Sequence, residues 1–159
     1  MKKVYSIATL LMVALFLSCN DEDDDIITSG EYLIFGRYAG FCVGDCVDLY
    51  KIKADELLED KSNEYPGGGF YKFNDFDKLP KEKFELVKDL IEFLPTSLRN
   101  EESGIFGQPG FTDGGSAYVE YKSGSIHKYW ILDEFKGNMP AEYDQFVDKI
   151  REKVALIHQ

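Results

Sequence analysis

Cys42 and Cys46, in "FCVGDCV", are the first residues whose types and spacing suggest chemistry. A zinc site needs four ligands, usually two C-x₂₋₄-C-like pairs at matching separations. The only other soft ligands in the domain are His127 and His158, one residue from the end, and they form no second pair. No metal or other cofactor is therefore expected. A redox centre normally takes C-x-x-C at the opening of a helix, and C-x₃-C between two strand-like stretches does not fit that pattern. His127 could act as a general base with Asp113 and a serine drawn from Ser116, Ser123 or Ser125. Nothing in the spacing selects such a triad, and the strand-to-helix turn that presents a nucleophilic serine is missing. The favoured reading of His127 is a surface or cross-strand packing residue, and no catalytic residue is expected.

Paired acids offer a second chemistry. Asp75 with Asp77, and Asp133 with Glu134, could bind calcium or act on glycosides, but the D-x-[DN]-x-[DN]-G loop is absent. Asp75 and Asp77 are instead expected ahead of a helix, at the positive end of its dipole. "PGGGF" at 66–70 lacks the lysine and following helix of a phosphate cradle and reads as a loop. Tyr65, Phe70, Tyr71, Phe73 and Phe76 crowd the same stretch. Most are expected in the core, though one or more left exposed could form a sugar-stacking or wet binding surface.

The chain starts "MKKVYSIATLLMVALFLSC". Lys2 and Lys3 precede an apolar run too short for a comfortable membrane span, and small Ser18 stands before Cys19: the pattern of a signal peptide, residues 1–18. Leu15 to Cys19 resemble the lipobox of bacterial lipoproteins, in the looser form of Bacteroidetes-type bacteria, with Phe16 and Leu17 departing from its tightest form. The resemblance implies that Cys19 is acylated, with chains such as palmitate, and becomes the mature N-terminus. Asp21, Glu22, Asp23, Asp24 and Asp25 follow at once. Such a run cannot bury apolar surface and reads as a solvated tether over 19–29. It also resembles the acidic signal that sends lipoproteins of those bacteria to the outer face of the outer membrane. The expected location is the outer membrane, lipid-anchored and at the cell surface, with the periplasmic face as the alternative.

With Cys19 acylated, Cys42 and Cys46 remain, an even count in an exported chain, and they are expected to form a disulfide. The net charge of −11 argues against a nucleic-acid partner, which needs clustered Lys and Arg. Residues 30–159 suit one domain.

The elements around these residues follow from periodicity. "GEYLIFGRY" (30–38) and "CVDLYKIK" (46–53) read as strands. "ADELLEDK" reads as a helical turn or loop, and Phe70 to Phe73 as an optional short strand. "LPKEKFELVKDLIEFLP" (79–95) reads as one helix, with Phe84, Val87, Ile91 and Leu94 on one face, Leu90 beside them and Pro95 as the stop. Residues 96–116 read as a long loop, functional or disordered. Residues 117–135 read as a hairpin turning at Ser123-Gly124-Ser125. Residues 140–159 read as a second helix with Tyr143, Phe146, Val147, Ile150, Val154 and Ile157 inward. The predicted fold is α+β: an antiparallel sheet of four to five strands with two helices packed on one face, in the order β-β-(β)-α-β-β-α.

"GFCVGDCVDLYKI", "GQPGFTDGGSAYVEY" and "KYWILDEFKGNMPAEYDQFVDKI" resemble an uncharacterised class of bacterial lipoprotein domains with an early C-x-G-x-C-type turn. That resemblance implies a fold and a location. The resulting expectation is a membrane-anchored, non-enzymatic binding domain with a protein or glycan partner. The alternatives are an inhibitor of a hydrolase or an envelope accessory module, and an enzyme with an unrecognised site.

Overall fold

The computed structural model describes residues 30–40, 42–44, 46–110 and 114–159. The expected roles of Cys19, of Asp21, Glu22, Asp23, Asp24 and Asp25, and of Asp113 fall outside the described residues. Seven strands form one sheet in the order β4-β3-β2-β1-β6-β7-β5. They are β1 Tyr32–Ala39, β2 Val47–Lys53, β3 Glu56–Asp60, β4 Phe76–Lys78, β5 Gly104–Phe106, β6 Gly115–Ser123 and β7 Ile126–Asp133. The helices are α1 Lys81–Val87, α2 Thr96–Asn100 and α3 Ala141–Ile157, with a 3₁₀ segment Lys88–Phe93 continuing α1. The fold is a mixed α+β domain. No helix among the described residues is long and apolar enough to cross a membrane.

Strand alternation sends side chains to two unlike faces. On one, Leu33, Phe35, Tyr50, Ile52, Leu57, Val119, Trp130 and Leu132 meet Val87, Leu90, Leu98, Phe146, Val147 and Ile150 from the helical elements. This is the main core, and every helix packs on this face, as expected for the two longest. Lys153, almost fully buried in α3, donates from Nζ to Leu86 O (2.9 Å) and to Asp89 (2.6 Å), tying the start of the 3₁₀ segment to α3. On the other face Ile34, Val47, Leu49, Tyr118 and Ile131 form a smaller cluster, flanked by Tyr32, Tyr38, Tyr71, Phe73 and Tyr129. No helix covers it. The chain between β3 and β4, residues 61–75, crosses it as an irregular strap.

The central strands lie close together. A Cβ added at Gly36 would stand 1.8 Å from the Asp48 carbonyl oxygen across the β1–β2 pair. Only glycine fits there.

Several elements differ from the sequence reading. "ADELLEDK" is not helical: Lys53 pairs with Glu56 across a two-residue turn, and β3 runs on to Asp60. Ala54 takes φ +51° at that turn, a conformation usually marked by glycine or asparagine, so the sequence carries no turn signal. The third strand before the first helix is thus Glu56–Asp60 and a fourth is Phe76–Lys78, while Phe70 to Phe73 belong to the strap. Asp77 therefore lies on β4 opposite Glu59, and the acids do not cap α1, which starts after Pro80. The single helix expected over 79–95 tightens to 3₁₀ at Lys88, where three residues per turn keep both Val87 and Leu90 fully buried. The long loop 96–116 contains α2 and β5. Lys128 Nζ donates to the carbonyls of Arg99 and Glu101 and so fixes the end of α2. β5 pairs with β7 in parallel, Gly104 opposite Trp130, so the sheet is not wholly antiparallel. The hairpin turns on Gly124-Ser125, with Ser123 paired to Ile126.

Candidate functional site under the strap

Glu120 is the centre of the strap face. It stands mid-strand on β6 between Ile34 and Tyr129, and only 2% of it is exposed. A buried carboxylate is tolerable only when its acceptor sites are filled. Here Tyr32 Oη donates to Oε1 (2.7 Å) and Tyr118 Oη to Oε2 (2.7 Å). His127 Nε2 lies 3.0 Å from Oε1, and the Tyr71 backbone N–H donates to Oε2 (3.0 Å). The single Tyr32 hydroxyl proton is committed to Glu120, so the Nε2–H tautomer of His127 is the one that satisfies its contacts with both groups. Burial first, and then Glu120, raise the pKa of Tyr32 and of Tyr118, which keeps both phenols protonated as donors.

The strap docks by its backbone. Tyr129 Oη donates to Gly68 O (2.7 Å) and Tyr118 Oη contacts Gly69 O (3.1 Å), while the Tyr71 N–H is shared between Glu120 and Tyr118 Oη. No side chain intervenes at 67–69, because all three positions are glycine. Beyond the glycines, Tyr71 Oη reaches Asp60 Oδ2 (2.9 Å) and Ser62 Oγ (2.8 Å). Burial is the chief cause that pushes the Tyr71 phenol up to about 12.

Rings cover the strap and its margins. Phe70 stacks on His127 at 4.1 Å and meets Tyr129 edge-on at 5.2 Å. Phe73 lies between Tyr71 (6.2 Å) and Phe76 (5.9 Å), and Tyr65 packs edge-on to Tyr38. Tyr71 and Phe73 are partly buried against the smaller cluster, whereas Tyr65, Phe70 and Phe76 keep about half their surface in water, at 48%, 49% and 48% exposure. The aromatic stretch singled out in the sequence is thus divided between packing and a solvent-facing surface.

The remaining candidates fall elsewhere. Cys42 and Cys46 come to disulfide distance at the β1–β2 turn, with Cα atoms 5.8 Å apart. His158 lies beside Asp48 (3.4 Å) and Tyr50 on the helix face, far along the fold from His127. Ser123 bonds to Glu31, and no serine meets His127 among the described interactions. Asp133 accepts from Gln108 N–H, Phe135 N–H and Asn138 Nδ2. Burial alone would raise its pKa; those three bonds outweigh burial and hold it below the usual carboxylate value. Glu134 forms a two-pronged ion pair with Arg37. Both acids therefore brace loops. No group of three or more His, Cys, Asp or Glu among the described residues could hold a metal ion.

Chemically, the Glu120 cluster is a clasp: each carboxylate oxygen already has two donors, which leaves little capacity for abstracting a proton. Sequence reading missed it because Tyr32, Tyr71, Glu120 and His127 are far apart in the chain. The one local signal is a lone acid among apolar neighbours in "AYVEY". No protein-family model matches this chain, and no match was found among curated proteins or solved structures.

Proposed function

We propose that this protein is a lipoprotein, anchored by acyl chains on Cys19 to the outer membrane and displayed at the cell surface. Asp21 to Asp25 hold the domain off the lipid, and the domain binds a protein or glycan partner through its strap face. One acyl chain binds membranes only marginally, so stable anchoring needs at least two. The observation that carries the binding reading is the grouping of half-exposed Tyr65, Phe70 and Phe76 on the sheet face that no helix among the described residues covers. Rings of this kind combine large apolar area with low ordering cost and suit a wet interface.

Two measurements test the proposal. Cys19→Ala should move the protein out of the detergent phase on partitioning or stall its processing; partitioning identical to wild type contradicts the anchor. Affinity capture with the full-length chain should lose its retained partner when Phe70 and Phe76 are both changed to Ser. Equal retention by that variant contradicts the strap face as the binding surface.

A further inference from the structure

The strap face carries a group of three lysines in an otherwise acidic chain. Lys51 and Lys53 of β2 and Lys122 of β6 share that face by strand alternation, with the Tyr32 ring between the two strands. Lys51 Nζ lies 4.1 Å and Lys122 Nζ 5.9 Å from the Tyr32 ring centroid, and Lys51 is also 5.5 Å from that of Phe73. Burial draws the Lys51 ammonium below its ordinary value, and the like charges of Lys53 and Lys122 add to this against the pull of Glu120. Among the described residues no carboxylate forms an ion pair with any of the three. The nearby acids are engaged: Glu120 is buried beneath its four donors, and Glu56 is taken by Lys78 at 2.5 Å.

Three lysines, none in an ion pair among the described residues and two of them set against the partly buried Tyr32 and Phe73 rings, point to a ligand. We infer that the strap face binds an acidic carbohydrate, its carboxylate or sulfate groups meeting Lys51, Lys53 and Lys122 and its sugar rings lying against Phe70 and the neighbouring aromatics. The inference rests on the binding reading above and narrows it to one substrate class. An anion alone would need only the lysines, and a neutral sugar only the rings; their adjacency favours a ligand that carries both. Tyr32 links the two sets, since its ring faces the lysines while its hydroxyl belongs to the Glu120 clasp that holds the strap.

The test is binding of the full-length chain, in detergent micelles, to a heparin hexasaccharide and an oligogalacturonate. A neutral cello-oligosaccharide, polyglutamate and phosphatidylglycerol vesicles serve as comparators. At least one acidic oligosaccharide should bind about tenfold more tightly than each comparator, and should weaken as ionic strength rises from about 50 mM to about 500 mM. Lys53→Gln with Lys122→Gln should cost roughly tenfold for that ligand, and so should Phe70→Ser; the salt titration needs no variant. Equal binding of neutral and acidic sugars, lost in Phe70→Ser, overturns the charge inference and leaves the aromatic binding face standing. Polyglutamate or vesicles bound as well as the sugars, and insensitive to Phe70→Ser, overturn the carbohydrate. No binding of either acidic probe by the wild-type chain overturns the inference, while a partner captured in a Phe70-dependent way would still uphold the broader reading.

Discussion

The two faces of the sheet are stabilised by different means. The helix face is apolar and continuous: Leu33, Phe35, Val119 and Trp130 are fully buried under helices that bring their own apolar stripes. Burial of this kind is non-directional and accumulates with area. The strap face has a smaller apolar cluster, and its cover is an irregular segment held by hydrogen bonds from Tyr118, Tyr129 and Tyr71 around Glu120. Hydrogen bonds contribute about 0.5–1.5 kcal/mol net each, more when one partner is charged, and they demand geometry. Ordering Gly67, Gly68 and Gly69 also costs more backbone entropy than ordering other residues. The helix face therefore holds the domain together, while the strap face is specified closely and held by fewer apolar contacts.

Mutation should separate the faces by size of effect. Phe146→Ala removes a fully buried ring from the helix face and should cost about 3–5 kcal/mol in urea unfolding. A cost below about 1 kcal/mol would mean that this face is not the main core. Glu120→Gln removes the charge that draws four donors together and should cost about 1–3 kcal/mol, with new protease cleavage at 67–69. Unfolding as severe as in Phe146→Ala would erase the distinction between the faces.

Alkali should act first on the strap face. Tyr71 is raised from 10.0 to about 12 in the folded state, and Tyr32 and Tyr118 are raised as well. A folded-state pKa above the unfolded value means that the unfolded chain loses its proton first. The stabilisation from these phenols is therefore full below about pH 10 and declines as pH rises from 10 towards 12. Stability that stays flat across that window would contradict the buried phenol clasp.

At the β1–β2 turn, Cys42 and Cys46 should be disulfide-bonded in the oxidised protein. Replacing both by Ser should cost no more than about 2 kcal/mol, because the closed loop is short. Thiol counting under non-reducing denaturation should find neither cysteine free. The smallest effect is expected from changing Asp21 to Asp25 to Ser. The melting temperature should not move, while the fraction of intact-cell protein open to external protease should fall. A drop of several degrees would show that the run docks on the domain, and unchanged protease access with lipidation intact would show that it is no export address.

Legibility from sequence divides along the same line. The helix face was legible because apolar spacing repeats locally: Phe84, Val87, Ile91 and Leu94, or Tyr143, Phe146 and Ile150, state their own burial. β3 was missed because a charged segment, "ADELLED", turns on Ala54 without a glycine. β4 and β5 were missed because three residues are too few to show a period. The strap site was legible only in part. The aromatics around "PGGGF" announced themselves, but their division into packed and exposed rings depends on which side of the strap each occupies. Glu120 with His127, and Lys51 with Lys122, are set by strand register, and register is not written in either segment alone.

Native-state hydrogen exchange tests the two-face account most directly. The Tyr71 amide, which donates to Glu120, reports the strap, and the Ile150 amide in the middle of α3 reports the helix face. The account predicts that Tyr71 exchanges through a local opening of low free energy, nearly independent of added urea, while Ile150 exchanges only with global unfolding and follows the full urea dependence. Equal opening free energies and equal urea slopes at the two amides would show one cooperative unit, and would contradict a strap held separately from the core.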